Sequence, residues 1–122
     1  MSMAETSIRR IGVTQRWSDA VIHNDVAYFV EVPDDSTQDV QHQFIQLFKQ
    51  VEQRLAEIGS DLTRLLQVIV YLPDPGDLAV FNELWDAWIP AGHAPSRACI
   101  HASLAAKDYR AELVVTAAVS RL

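Results

Sequence analysis

Apolar residues come in short continuous runs in the first thirty residues of this chain, recur at every third or fourth position over stretches of its middle, and alternate with polar ones toward its end. Residues 8–13 make a short apolar-leaning run. Ala20-Val21-Ile22 and Val26-Ala27-Tyr28-Phe29-Val30 then flank His23-Asn24-Asp25, and turn residues of that kind between two such runs predict a hairpin. Pro33-Asp34-Asp35-Ser36 ends it, and Ser36 with Asp39 resembles an N-cap pair in which an acid replaces the usual Glu or Gln. Val40, Phe44, Leu47, Val51, Leu55 and Ile58 follow at spacings of four, three, four, four and three. These form one face of a long helix, which Gly59 stops.

Within Leu65–Leu72, the stretch Val68-Ile69-Val70-Tyr71 is continuous enough in β-branched and aromatic residues for a buried central strand, ended by Pro73-Asp74-Pro75-Gly76. Asp77 is placed to cap a second helix carrying Phe81, Leu84, Trp85 and Trp88, which Pro90 terminates. Pro95 cannot donate into a sheet and so marks the start of a strand. From there, alternation puts Arg97, Cys99, His101 and Ser103 on one face and Ala98, Ile100 and Ala102 on the other. Residues 109–119 repeat the pattern, with Leu113, Val115 and Ala117 on one side and Arg110, Glu112, Val114 and Thr116 on the other.

If Ala105-Ala106-Lys107-Asp108 turns the chain back, pairing Ser103 with Arg110 sets His101 opposite Glu112 and Cys99 opposite Val114. That register is an assumption, and a slip of one residue reverses every face. On it Arg97, Cys99 and Glu112 share a surface. The order strands, helix, strand, helix, strand, strand predicts an α+β domain: a six-stranded mixed sheet with both helices on one face. Water or another subunit must meet the other face, and Arg97, Cys99 and Glu112 are expected on it.

Composition narrows the chemistry. With 122 residues, 49% of them hydrophobic, the chain reads as a single domain over residues 1–122 with room for a real core. A net charge of −6 with scattered basic residues argues against nucleic acid as a partner. One cysteine excludes an internal disulfide framework and suits a reducing compartment. The N-terminus lacks the apolar core of a signal peptide, and no apolar run approaches the roughly 18 residues of a membrane span, so the expectation is a soluble cytoplasmic protein. Gly12, Gly59, Gly76 and Gly92 are too far apart for a phosphate loop or nucleophile elbow. The histidines His23, His42, His93 and His101 show no ligand pairing at helical spacing, so no metal is expected.

Arg97 is the candidate with the most pointed chemistry, because a planar, permanently charged guanidinium holds a carboxylate through two parallel hydrogen bonds. Each candidate also has a plain structural reading. An arginine at a strand start is usually a surface or ion-pair residue, and a lone cysteine such as Cys99 usually packs in a core. A strand glutamate such as Glu112 usually faces water or a cross-strand neighbour. Trp85 and Trp88 read as core, and His42 as a solvated helix residue.

The motifs Arg16-Trp17-Ser18-Asp19-Ala20, Gly59-Ser60, Leu65–Leu72, Asn82-Glu83-Leu84-Trp85-Asp86-Ala87-Trp88, Gly92-His93-Ala94-Pro95-Ser96-Arg97-Ala98-Cys99 and Ala111-Glu112-Leu113 together resemble the RidA/YjgF family of imine deaminases, in its small bacterial YoaB-like branch. The resemblance covers nearly the whole chain. It implies a chorismate-mutase-like fold, a homotrimer whose sheets form a central barrel, and ligand clefts between neighbours. It further implies hydrolysis of 2-imino or enamine acids to 2-keto acids and ammonia, with no cofactor. Carried over by position, Arg97 would bind the substrate carboxylate, Glu112 would hold and polarise the attacking water, and Cys99 would line the pocket. Trp17, where the family commonly has tyrosine, would wall the cleft from an adjacent subunit.

The chain departs from the family where many relatives carry a small Ser-Gly or Thr-Gly pair and it reads Val30-Glu31. Glu31 is expected beside the cleft. There it would repel an anionic substrate, bridge to Arg97, or act as an acid or base on a different substrate. Two other functions stay open on these residues: a trimer that binds a carboxylate metabolite without turnover, and a hydrolase of another small catabolic compound using Glu31.

Overall fold

The computed structural model describes residues 7–119. Strands β1 (Arg9–Ile11), β2 (Ala20–His23) and β3 (Val26–Glu31) come first, followed by helix α1 (Val40–Glu57), strand β4 (Leu65–Leu72), helix α2 (Leu78–Trp88), and strands β5 (Ser96–His101) and β6 (Glu112–Ala118). They form one six-stranded sheet in the order β1-β2-β3-β6-β4-β5, in which only β4 and β5 run parallel as neighbours. The expected α+β architecture of six strands and two helices is present. No helix among the described residues is long and apolar enough to cross a membrane.

Local chemistry sets the element boundaries. Asn24 and Asp25 adopt φ of 50° and 64°, the left-handed pair that a two-residue hairpin turn requires, and His23 pairs with Val26 across it. Asp39 caps α1, accepting the His42 backbone N–H at 2.9 Å, so the cap lies three residues beyond the expected Ser36. At the other end Gly59 takes φ 79°, its N–H reaches the Ala56 carbonyl, and the Ser60 N–H reaches that of Leu55. That is the Schellman pattern, and it satisfies carbonyls the helix would otherwise leave bare. Asp77 does not cap α2, contrary to expectation. Its carboxylate accepts from Arg110 instead, while Asp74 caps the short 3₁₀ turn Pro75–Asp77.

The largest departure concerns β5 and β6. They do not form a hairpin: β5 lies on the sheet edge paired with β4, and β6 inserts between β3 and β4. The connection over residues 102–111 is too long for a tight hairpin, and it is drawn across the helices. Gln43 of α1 donates to the Asp108 carbonyl and accepts the Arg110 N–H, and the Arg110 guanidinium meets Asp77 at 2.8 Å. Cys99 therefore lies beside Val70 rather than opposite Val114, and Glu112 faces Tyr71 rather than His101.

Both helices cover the same face. Phe44, Leu47, Val51 and Leu55 of α1 and Phe81 and Trp85 of α2 bury against Ala27, Phe29, Val68, Val70, Leu113 and Val115. Aromatic edges knit the helices together: Phe44 meets Phe81 edge-on at 5.1 Å, and Phe48 stacks on Trp88 at 4.1 Å. Among the described residues no helix covers the opposite face, where Tyr28, Val30 and Ile100 stay exposed.

Hydrogen bonding to the His42 N–H and side chain holds the Asp39 carboxyl below its ordinary value. A depressed carboxyl contributes stability above its unfolded pKa and loses it as pH falls through the folded one. Asp39→Ala is therefore expected to lower the melting temperature by a few degrees at neutral pH. The gap from the parent should close in acid, and melts recorded across that range check it.

Candidate functional site

Strand register decides which side chains meet. One row across the helix-covered face runs Ala20, Phe29, Val115, Val68, Arg97, and the next runs Glu31, Leu113, Val70, Cys99. Arg97 and Cys99 thus lie on the helix side, not on the open face where they were expected. Glu112 is on the open face, in register with Tyr71 and, through it, Ile100. The three residues do not share a surface within one chain, because inserting β6 between β3 and β4 reversed the assumed parity.

Arg97 ends its row on the edge strand, where the apolar core gives way to solvent. Its guanidinium carbon sits 5.0 Å from the Trp85 ring centre and 5.9 Å from that of Phe81, and its Nη2 donates to Asn82 Oδ1 at 2.8 Å. All three partners belong to α2. No carboxylate pairs with this arginine among the described residues. The aromatic faces attract the cation without consuming its donors, and a neutral amide takes one of the five. Four N–H groups remain for an anion. Cys99, two residues on, is half-buried and packs against the core, as a packing cysteine does.

A second constellation forms at the end of β3. Trp17, Asp19, Val30, Glu31, Asp34 and Arg54 line a cleft of about 530 Å³. Trp17 is 61% exposed. Glu31 is buried at the cleft floor, where Oε1 accepts from Gln50 at 3.1 Å and Oε2 from Arg54 Nε at 3.4 Å. The expected bridge from Glu31 to Arg97 does not form: three strand spacings, about 14 Å, separate Glu31 from Cys99 in the same row. Burial pushes the Glu31 carboxyl above its ordinary value, outweighing the Gln50 hydrogen bond and the Arg54 charge that pull it down.

The expected site residues therefore fall into three groups: Trp17 with Glu31, Arg97 with Cys99, and Glu112 alone. The side chain of Glu112 has no hydrogen bond or ion pair within the described residues. Asn82, Gln50 and Arg54 were not singled out from the sequence. Asn82 had a legible signal, a polar residue set directly beside Phe81 on the apolar side of α2. Gln50 and Arg54 read as ordinary polar helix positions until β3 lies against them. Among the described residues, no group of three or more His, Cys, Asp and Glu side chains is placed to hold a metal ion.

A six-stranded mixed sheet with both helices on one face is an α+β sandwich domain. The chain belongs to the family whose model is described as Endoribonuclease L-PSP, which matches residues 7–119. It is 39% identical to a RutC family protein of Haemophilus ducreyi over 93% of this chain and 97% of that one. It is 38% identical to the RutC family protein YoaB of Escherichia coli, over 93% and 99%. The crystal structure of a YjgF-family protein from Neisseria meningitidis superposes with a TM-score of 0.90 at 37% identity, over 97% of this chain and 99% of that one. The expected family and the expected fold of the single chain are thereby established.

A carboxyl whose pKa rises on folding contributes stability below its unfolded pKa and loses it as pH climbs through the folded value. Glu31→Gln removes that loss. The melting temperature of the parent is expected to fall relative to the Glu31→Gln variant as pH rises from about 4 to 7; a pH-independent difference would show that burial does not dominate Glu31.

Proposed function

We propose that this protein hydrolyses small 2-imino and enamine acids to 2-keto acids and ammonia, in clefts between the subunits of a homotrimer. The observation that carries the reading is Arg97: a half-buried guanidinium with no acidic partner among the described residues, laid on Trp85 and Phe81 and held by Asn82. Such a group is set to take a carboxylate as a bidentate ligand.

The exposed apolar residues Tyr28, Val30 and Ile100 on the helix-free face support burial against other subunits. The register supports a composite site. Arg97 is on the edge strand and faces the helices, the Trp17–Glu31 cleft is three strands away, and Glu112 faces the other way. In this reading one ligand reaches Arg97 together with the cleft or with Glu112 where two subunits meet.

The chemistry asks little of the protein. Water adds to the carbon of the C=N bond, and a carboxylate takes the water proton and passes it to nitrogen. The carbinolamine then collapses to the ketone, releasing ammonia. An imine is already electrophilic, so positioning by Arg97 and one water-orienting group, assigned to Glu112, supplies the acceleration. Cys99 and Trp17 line the site in this reading. Glu31, with both oxygens engaged by α1, serves as the cleft floor rather than as an acid or base. The reading needs no cofactor.

Hydrolysis of 2-iminobutyrate and 2-iminopropionate generated in situ tests the proposal. The parent protein is expected to accelerate ammonia release, and Arg97→Ala to lower kcat/KM by about tenfold or more, with Arg97→Lys failing to restore it. Glu112→Gln should lower kcat. Co-refolding the Arg97→Ala and Glu112→Gln chains should recover part of the activity if the two groups serve one site from different subunits. Saturable 2-keto acid binding with no turnover would replace the deaminase with a carboxylate-binding protein.

A further inference from the structure

The segment between β1 and β2, residues 12–19, has no regular secondary structure yet presents a tryptophan that is 61% exposed. A free loop would let so large an apolar ring fold down onto the surface. This loop is tied at several points. The Asp19 N–H donates to the Ile11 carbonyl at 2.8 Å, and the Thr14 N–H donates to the Trp17 carbonyl at 2.7 Å. Thr14 Oγ1 accepts the N–H groups of Arg16 and Trp17 at 3.2 and 3.1 Å and itself donates to the Trp17 carbonyl at 3.1 Å. The main chain under the indole is thus held in place before any ligand arrives.

The side chain is held as well, by one carboxylate used twice. Gly12 has φ 65°, and a Cβ there would come within 2.0 Å of Asp19 Oδ2. The carboxylate occupies the space that glycine leaves open, in a backbone conformation glycine favours. Its other oxygen, Oδ1, accepts the Trp17 indole Nε1–H at 3.3 Å. Trp17 and Asp19 both line the cleft beside Val30 and Glu31.

We infer that Asp19 is a positioning residue for substrate: seated against Gly12, it fixes the Trp17 indole as a preorganised wall of the cleft. The inference rests on the cleft being the site proposed above. It also narrows the substrate. The only hydrogen-bond donor of the indole is spent on Asp19, so the wall offers ring surface and no polar contact. With exposed Val30 beside it, that wall favours 2-imino acids whose side chain is a hydrocarbon or an aromatic ring. Prepaying the order of a wall shows in binding rather than in the chemical step.

The test follows the indole N–H resonance of Trp17, assigned by its loss in Trp17→Phe, together with steady-state kinetics. Asp19→Ala is expected to shift that resonance and leave those of Trp85 and Trp88 in place. KM for imines with branched or aromatic side chains should rise about three- to tenfold, as for loss of one hydrogen bond. The expectation for kcat, and for KM with 2-iminopropionate, is little change. Asp19→Asn keeps an acceptor oxygen and should restore both resonance and KM. In a Trp17→Phe background, Asp19→Ala should add nothing. An unmoved resonance, a fall in kcat matching the rise in KM, or an additive effect in the Trp17→Phe background would each overturn the inference. If Asp19→Ala does not fold, the decision falls to the Asp19→Asn and Trp17→Phe proteins: loss of the parent resonance position and KM in Asp19→Asn, or an unchanged KM in Trp17→Phe, overturns it. Should the parent bind 2-keto acids without hydrolysing imines, titration of the Trp17 resonance with those acids replaces KM. The deaminase then fails alone while the role of Asp19 is still decided.

Discussion

The insertion of β6 between β3 and β4 is the constraint on which the rest of the structure depends. A strand in that position has both backbone edges hydrogen-bonded and one face under the helices, so its side chains must suit a core on one side. Leu113, Val115 and Ala117 do so, and all three are buried. Because β6 is antiparallel to both neighbours, β3 and β4 run in the same direction, each joined to its successor through a helix. Both helices lie over one face, and the other is left bare. The Gln43 and Arg110 contacts hold the connection over residues 102–111 along this path.

That single placement distributes the charged groups. Arg97 and Glu31 both emerge on the helix-covered side, where an ion without partners is costly. The protein handles them differently. Glu31 is deeply buried and satisfied by Gln50 and Arg54, and burial still raises its pKa. Arg97 lies at the sheet edge on aromatic rings, with one amide partner and donors to spare. A satisfied carboxyl forms a floor, whereas an under-satisfied guanidinium invites an anion. The difference between these two environments is the physical basis for the functional reading.

The cleft at the end of β3 shows the same economy. Val30 and Glu31 fill the space near the strand end, and α1 supplies the partners that make a buried glutamate tolerable. Trp17 stands above it on a loop whose conformation depends on one glycine and one aspartate.

Much of this was legible in the residue pattern. The α1 stripe from Val40 to Ile58, the Gly59 stop, the Asn24-Asp25 turn and the strand start after Pro95 each follow from local rules of backbone and side-chain geometry, which act over a few residues. The same rules brought out Arg97 and Glu112 as residues of interest, whereas Trp17 and Glu31 stood out only by comparison with the family the chain resembles. What they did not settle was which strand lies beside which. Side-chain parity is local, but pairing is a contact between distant segments, and it alone decides whether Arg97 and Glu112 share a face. Asp77, which reads as a cap, was claimed by Arg110 from far along the chain, and Gln50 and Arg54 acquired meaning only when β3 was laid against α1. Local periodicity fixed the elements; the tertiary structure decided their neighbours, because pairing both edges of β6 and burying one of its faces depends on segments that no short window of sequence contains.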